Sequence, residues 1–235
     1  MSRLVVALLL ALSLRGCVAY EFEHEFWIRV DGSGTVNVTA RPELWAAMKG
    51  LRGAADSDAA MQTVRGLFES SGLRVRRVTL THRGGRPYLF VSADFPDVNR
   101  LAGTPAFPDL ALSLRPDGEN LRLEGRWSRP SGLPDVGLDA RDGLMAVRFH
   151  LPSKVYSHRN AFAGVERGNI VGWRETVVEG LAGRPLEVGA LMDRRSILMS
   201  TVGLFAIAIA AALAIFTAVL WWVVRKGRKA AAAVP

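Results

Sequence analysis

Between Ser196 and Val224 lie 29 consecutive residues without a charged side chain, rich in Ala, Ile, Leu and Val and closed by Trp221-Trp222. At ~1.5 Å per helical residue, such a run is about 43 Å long and crosses ~30 Å of hydrocarbon with room to tilt. The chain is therefore predicted to cross a membrane once, through residues 196–224. The paired Trp marks an interface, and Arg225, Lys226, Arg228 and Lys229 beyond it read as the cytoplasmic flank. Asp193, Arg194 and Arg195 on the near side sum to only +1 against that +4, which places the preceding residues outside the cytoplasm.

The other end agrees. After Arg3, residues Leu4 to Leu14 form an uncharged run too short to span, followed by small residues, as in the apolar region of an export signal. Two processing positions compete for the 1–19 segment. Cys17-Val18-Ala19 favours cleavage before Tyr20, whereas Leu14-Arg15-Gly16-Cys17 resembles a bacterial lipobox that would leave Cys17 acylated after cleavage at residue 16. Arg15 departs from the usual small or apolar residue there. Cys17 is the only cysteine, so the exported region carries no free thiol or disulfide once Cys17 is removed or acylated.

The formal charge of +8 would suggest an anionic polymer as partner, but its distribution removes that reading. From Tyr20 to Arg195 there are 24 Lys or Arg against 22 Asp or Glu, a nearly neutral balance without a nucleic-acid footprint. What remains is one exported domain, residues 20–195, followed by the membrane helix and a short basic tail, 225–235.

Within the domain, Tyr20 to Val30 alternates strictly. Phe22, His24, Phe26, Ile28 and Val30 share one face, and Glu21, Glu23, Glu25, Trp27 and Arg29 share the other. Asp31-Gly32-Ser33-Gly34 supplies a turn, and Thr35 to Ala40 completes a hairpin. Pro42 and Glu43 open a helix to about Leu51 that buries Leu44, Ala47, Met48 and Leu51. A second helix from Ser57 to Ser71 places Met61, Val64, Leu67 and Phe68 on one face and ends at Gly72. Strands follow at 73–81 and 87–95 around Gly84-Gly85, then Leu110 to Leu114 against Leu121 to Trp127 across Pro116-Asp117-Gly118. A loop at 130–143 precedes a strand with Met145, Val147, Phe149 and Leu151. Two more strands, 169–178 and 186–191, are joined around Gly180 to Pro185. The class is α+β, a mainly antiparallel β-sheet with two early helices, plus the C-terminal transmembrane helix. Two helices leave part of the sheet's apolar face for a ligand to cover.

No catalytic, cofactor or metal constellation emerges. Gly32-Ser33-Gly34 lacks both the nucleophile elbow and the dinucleotide fingerprint, since it joins strand to strand. His24 between Glu23 and Glu25 is no metal triplet, because adjacent strand residues point to opposite faces. Glu21, Glu23 and Glu25 read as a solvated outer face, with Trp27 beside them available to a partner. Asn37-Val38-Thr39 is a glycosylation sequon that a bacterial-type export signal makes uninformative. The densest basic cluster, Arg74, Arg76, Arg77, Arg83 and Arg86, is a candidate contact for lipid headgroups or an anionic envelope polymer, and equally a charged edge strand that resists aggregation.

An export signal ending in Cys, then Val30-Asp31-Gly32-Ser33-Gly34-Thr35 between strands leading into helices, is similar to the LppM-type domain of bacterial envelope lipoproteins. So are the Gly168-Asn169-Ile170-Val171-Gly172-Trp173 and Pro185-Leu186-Glu187-Val188 strands before a membrane helix with a basic stop. The resemblance implies a non-enzymatic bacterial envelope protein with an α/β domain that binds lipidic ligands, and it carries over no catalytic residue. The expected function is a single-pass protein of the cytoplasmic membrane whose exported domain holds a lipidic ligand or an envelope protein. The alternative is an accessory subunit of an envelope enzyme complex or a cryptic hydrolase. An apolar pocket would favour binding, and a cleft collecting His150 or His158 with a carboxylate would favour catalysis.

Overall fold

The computed structural model describes residues 20–51, 58–133, 143–162, 165–166 and 168–231. The export signal, Cys17 and most of the 130–143 loop lie outside the described residues. In chain order the elements are β1 (Phe22–Ile28), β2 (Gly34–Ala40), α1 (Pro42–Lys49), α2 (Asp58–Ser70), β3 (Arg74–Arg83), β4 (Arg86–Phe95), β5 (Leu110–Asp117) and β6 (Asn120–Trp127). Then come β7 (Leu144–His150), β8 (Val155–His158), β9 (Val165–Glu166), β10 (Ile170–Thr176), α3 (Val177–Leu181), β11 (Leu186–Asp193) and α4 (Ile197–Ala231). The α+β class and the early helices match the sequence reading. Thr201–Lys226 within α4 is long and apolar enough to cross a membrane.

The strands form two sheets, where the sequence suggested one. Seven lie in the order β3-β4-β2-β1-β7-β10-β9 and four in the order β5-β6-β11-β8. Every pairing is antiparallel except β1 with β7, which run parallel from Phe22 opposite Met145 to Trp27 opposite His150. The hairpin turns fall where the glycines predict. Gly84 and Gly85 adopt φ of 56° and 76° between β3 and β4, the left-handed conformation that a two-residue hairpin turn requires.

The alternation in β1 is confirmed by burial of Phe22, His24, Phe26 and Ile28, while Val30 lies past the strand end and is exposed. These side chains meet the inner face of the small sheet, where Trp127 packs edge-on against Phe22 at 5.1 Å. Helix α1 starts at Pro42 and stops at Gly50, whose φ of 69° lets its N–H reach Ala46 O. It buries Trp45 and Lys49 as well as Leu44, Ala47 and Met48. Helix α2 adds Val64 and Phe68, with Met61 and Leu67 only partly covered. Both sheets and both helices thus share one hydrophobic cluster.

That arrangement covers the apolar face expected to stay open. Among the described residues of the domain, the large apolar side chains left exposed are the scattered Val30, Tyr156, Phe162 and Val178. A second difference concerns Val177 and Val178, read as the end of a strand. They begin α3, because Thr176 accepts from Glu179 N while the Glu179 carboxylate accepts from Thr176 N, a reciprocal cap.

Candidate functional site

Three polar groupings carry chemistry. The first lies in the core. Lys49 Nζ donates to Asp109 Oδ1 and to Ala106 O, each at 2.7 Å, and Trp127 Nε1 donates to Asp109 Oδ2 at 2.8 Å. His24 Nε2 stands 4.0 Å from the same Asp109 oxygen, and neither of its ring nitrogens has a hydrogen-bond partner among the described residues. Burial, and then the neighbouring ammonium of Lys49, hold His24 well below its usual range, so the ring is neutral. Burial also lowers Lys49, against the pull of Asp109. The Lys49 ammonium stands 4.7 Å from the centre of the Phe107 ring. All three side chains are fully enclosed, so the group braces the interior and meets no substrate. The period-two pattern placed His24 inside, but Lys49 at the end of an amphipathic helix carried no sequence signal of burial.

The second grouping occupies the outer face of the large sheet. Glu25 Oε1 pairs with His150 Nε2 at 2.8 Å, Trp27 stacks on the His150 ring at 4.6 Å, and Arg148 lies between Glu23 and Glu25 at 3.6 and 3.8 Å. Glu21 accepts from the Tyr88 hydroxyl at 2.9 Å. The acid run is thus half-buried and cross-linked, whereas the sequence suggested a freely solvated face. Burial raises Glu23, with Arg148 opposing and Glu25 reinforcing that shift. The parallel β1–β7 register, invisible to the local pattern, brings Glu25 and His150 together.

The predicted basic cluster is dispersed at the β3–β4 edge. Arg74 and Arg76 both pair with Asp94, at 2.6 and 2.7 Å. Burial opposes ionisation of Asp94, but hydrogen bonds from Arg76, Arg74 and Thr35 outweigh it and hold the carboxyl down at about 2. Arg83 stacks over Tyr88 at 5.1 Å, and Arg86 stands 3.9 Å from Glu21. Arg77 is exposed opposite Ser92. Two of the five cations are therefore neutralised by one partly buried carboxylate.

The third grouping is a cleft of about 350 Å³ on the small sheet, lined by Arg122 and Glu124 of β6, Gly189 and Leu191 of β11, and Ser157, His158, Arg159 and Asn160 at and after β8. It collects His158 with a carboxylate, the combination that favours catalysis from sequence. No hydrogen bond joins Ser157, His158 and Glu124 among the described residues, and His158 Nδ1 accepts instead from Ala161 N at 3.2 Å. A nucleophile held by a base is thus not assembled here.

No family model matches the chain, and neither does any curated protein sequence. Among solved structures it is similar to the NMR structure of the folded domain of Mycobacterium tuberculosis LppM, with 17% sequence identity and a TM-score of 0.41. The match covers 73% of this chain and 88% of that one. It is the same type of domain that the sequence motifs resemble.

Proposed function

We propose that this chain is a non-enzymatic, single-pass envelope protein of the cytoplasmic membrane, with its domain on the extracytoplasmic side, binding a lipidic ligand or an envelope partner close to the bilayer. The observation that supports this reading is the path of β11. Its residues Gly189 and Leu191 line the cleft, and eight residues after Gly189 the chain enters the membrane helix at Ile197. At ~3.4 Å per extended residue, the cleft lies within about 27 Å of the start of that helix. Lys154 and Tyr156 stand at the same end. Tyr156 donates to Asp193 at 2.9 Å, next to Arg194 and Arg195, giving the aromatic and cationic side chains that suit a headgroup layer.

The inner apolar face is filled by the second sheet, so recognition falls on a polar headgroup rather than on acyl chains drawn into the core. The test is native mass spectrometry of the full chain extracted in mild detergent. Stoichiometric co-purifying lipid is expected. Repeated extraction yielding only the bare chain, or the chain with a stable protein partner and no lipid, would refute lipid binding.

A further inference from the structure

The register of the small sheet builds the cleft from two rungs. Leu191 of β11 pairs with Arg122 on one side and Ser157 on the other, and Gly189 pairs with Glu124. Arg159 N donates to Gly189 O, which extends the second rung to Arg159. Since Leu123 and Ala190 point into the core, the side chains of these two rungs point outward. A Cβ at position 189 would lie 3.4 Å from Arg159 Cβ and 3.9 Å from its Nε. Residue 189 thus presents no side chain to the hollow, and the arginine lies against it.

Glu124 and Arg159 occupy opposite ends of that rung, yet neither forms an ion pair among the described residues. Their backbones are two strand spacings apart, about 9.6 Å. Arg122 faces the same hollow from the next rung and pairs with Asp117 through Nε and Nη2, which leaves its Nη1 edge unused. Asn160, at the cleft's end, holds φ of 51°, a left-handed conformation rare outside glycine. Arg159 on the β8 side, Arg122 and Glu124 two residues apart on the β6 side, and the hollow between them match a zwitterion better than a simple anion. The geometry points to this cleft as a binding site for a phosphate ester bearing a nearby ammonium, with Arg159 and Arg122 receiving the phosphate and Glu124 the ammonium. The proposal deepens the ligand reading above and rests on it only for the bilayer as a source, since a free phosphoethanolamine and an ethanolamine phospholipid headgroup share this chemistry.

The test uses the full chain in uncharged maltoside micelles, titrated calorimetrically at constant ionic strength with O-phosphoethanolamine and with inorganic phosphate. The zwitterion should bind once per chain and more tightly than phosphate. Arg159→Ala should weaken both by about tenfold, the scale of one charge-assisted hydrogen bond. Glu124→Gln should remove only the preference for the zwitterion. Gly189→Val, which fills the floor with a residue suited to a strand, should abolish binding while near-ultraviolet circular dichroism stays native. Arg74→Ala, on the other sheet, should change nothing. Discs of phosphatidylglycerol with phosphatidylethanolamine then separate the sources. Loss of O-phosphoethanolamine binding there, but not in discs of phosphatidylglycerol alone, identifies the lipid headgroup, and retained binding identifies the free ester. Absence of saturable binding, or binding indifferent to Arg159→Ala and Gly189→Val, overturns the assignment. Lipid that still co-purifies in that case would leave the proposed function standing without this site.

Discussion

Replacing Lys49 by Met tests the buried ion pair most directly. Met preserves most of the apolar stem against the Phe107 and Phe22 rings but removes both donors that Nζ supplies. Ala106 O loses its partner, at about 1–3 kcal/mol for a buried unsatisfied group. Asp109 keeps only Trp127 Nε1 as a hydrogen-bond donor and stays enclosed, and breaking a buried pair in this way costs about 3–5 kcal/mol. Since the two contributions overlap, the expected loss is about 4 kcal/mol, a large share of the ~5–15 kcal/mol that holds a domain together. Adding Asp109→Asn to Lys49→Met removes the stranded charge while keeping an acceptor for Trp127, and should recover about 1–3 kcal/mol. The assay is denaturant unfolding of the full chain in uncharged micelles, followed by near-ultraviolet circular dichroism. A loss below about 1 kcal/mol, or a double variant no more stable than the single, would show that the interior tolerates a lone carboxylate and refute the reasoning.

Because the folded protein keeps His24 neutral below its usual 6.5, unfolding takes up a proton as pH falls through that value. Stability should then decline by up to ~1.4 kcal/mol per pH unit, and His24→Phe should flatten the decline between pH 7.5 and 5. Glu175 moves oppositely: burial, then Glu179, raises it to about 7, so its contribution is present below pH 4.5 and is lost as pH rises through 7. Glu175→Gln should raise the melting temperature at pH 8 and leave it unchanged at pH 4. Cys17→Ala should abolish labelling by a fatty-acid analogue while the protein stays in the membrane, because an apolar helix of about 20 residues anchors more strongly than acyl chains. Unlabelled wild type beginning at Tyr20 would establish the other cleavage position.

Much of the fold was legible locally. The uncharged run before Trp221 is sufficient by length alone to define a helix that can cross a membrane. Strict alternation marked Phe22, His24, Phe26 and Ile28 as one face, and the glycines at 84 and 85 marked a turn that other residues adopt at a cost. The cap at Thr176 and Glu179 was also present, three residues apart, but two valines in between read as strand. The candidate site was much less visible. Arg159, Glu124 and Gly189 carry no shared local signal, being brought together from positions 124 to 189 by pairing of β6, β11 and β8.

The chain's own pattern determined where elements begin, which side chains face inward and where a membrane can be crossed, because those properties depend on residues within a few positions of one another. Only the tertiary structure decided that the strands divide into two sheets, that β1 lies parallel to β7, that Lys49 is enclosed against Asp109, and that Glu124 faces Arg159 across a glycine. Backbone hydrogen-bonding groups are nearly the same at every residue, so alternation specifies a strand's faces without naming its neighbour. The neighbour is selected by the packing of the whole interior, and with it the charges that share a cleft.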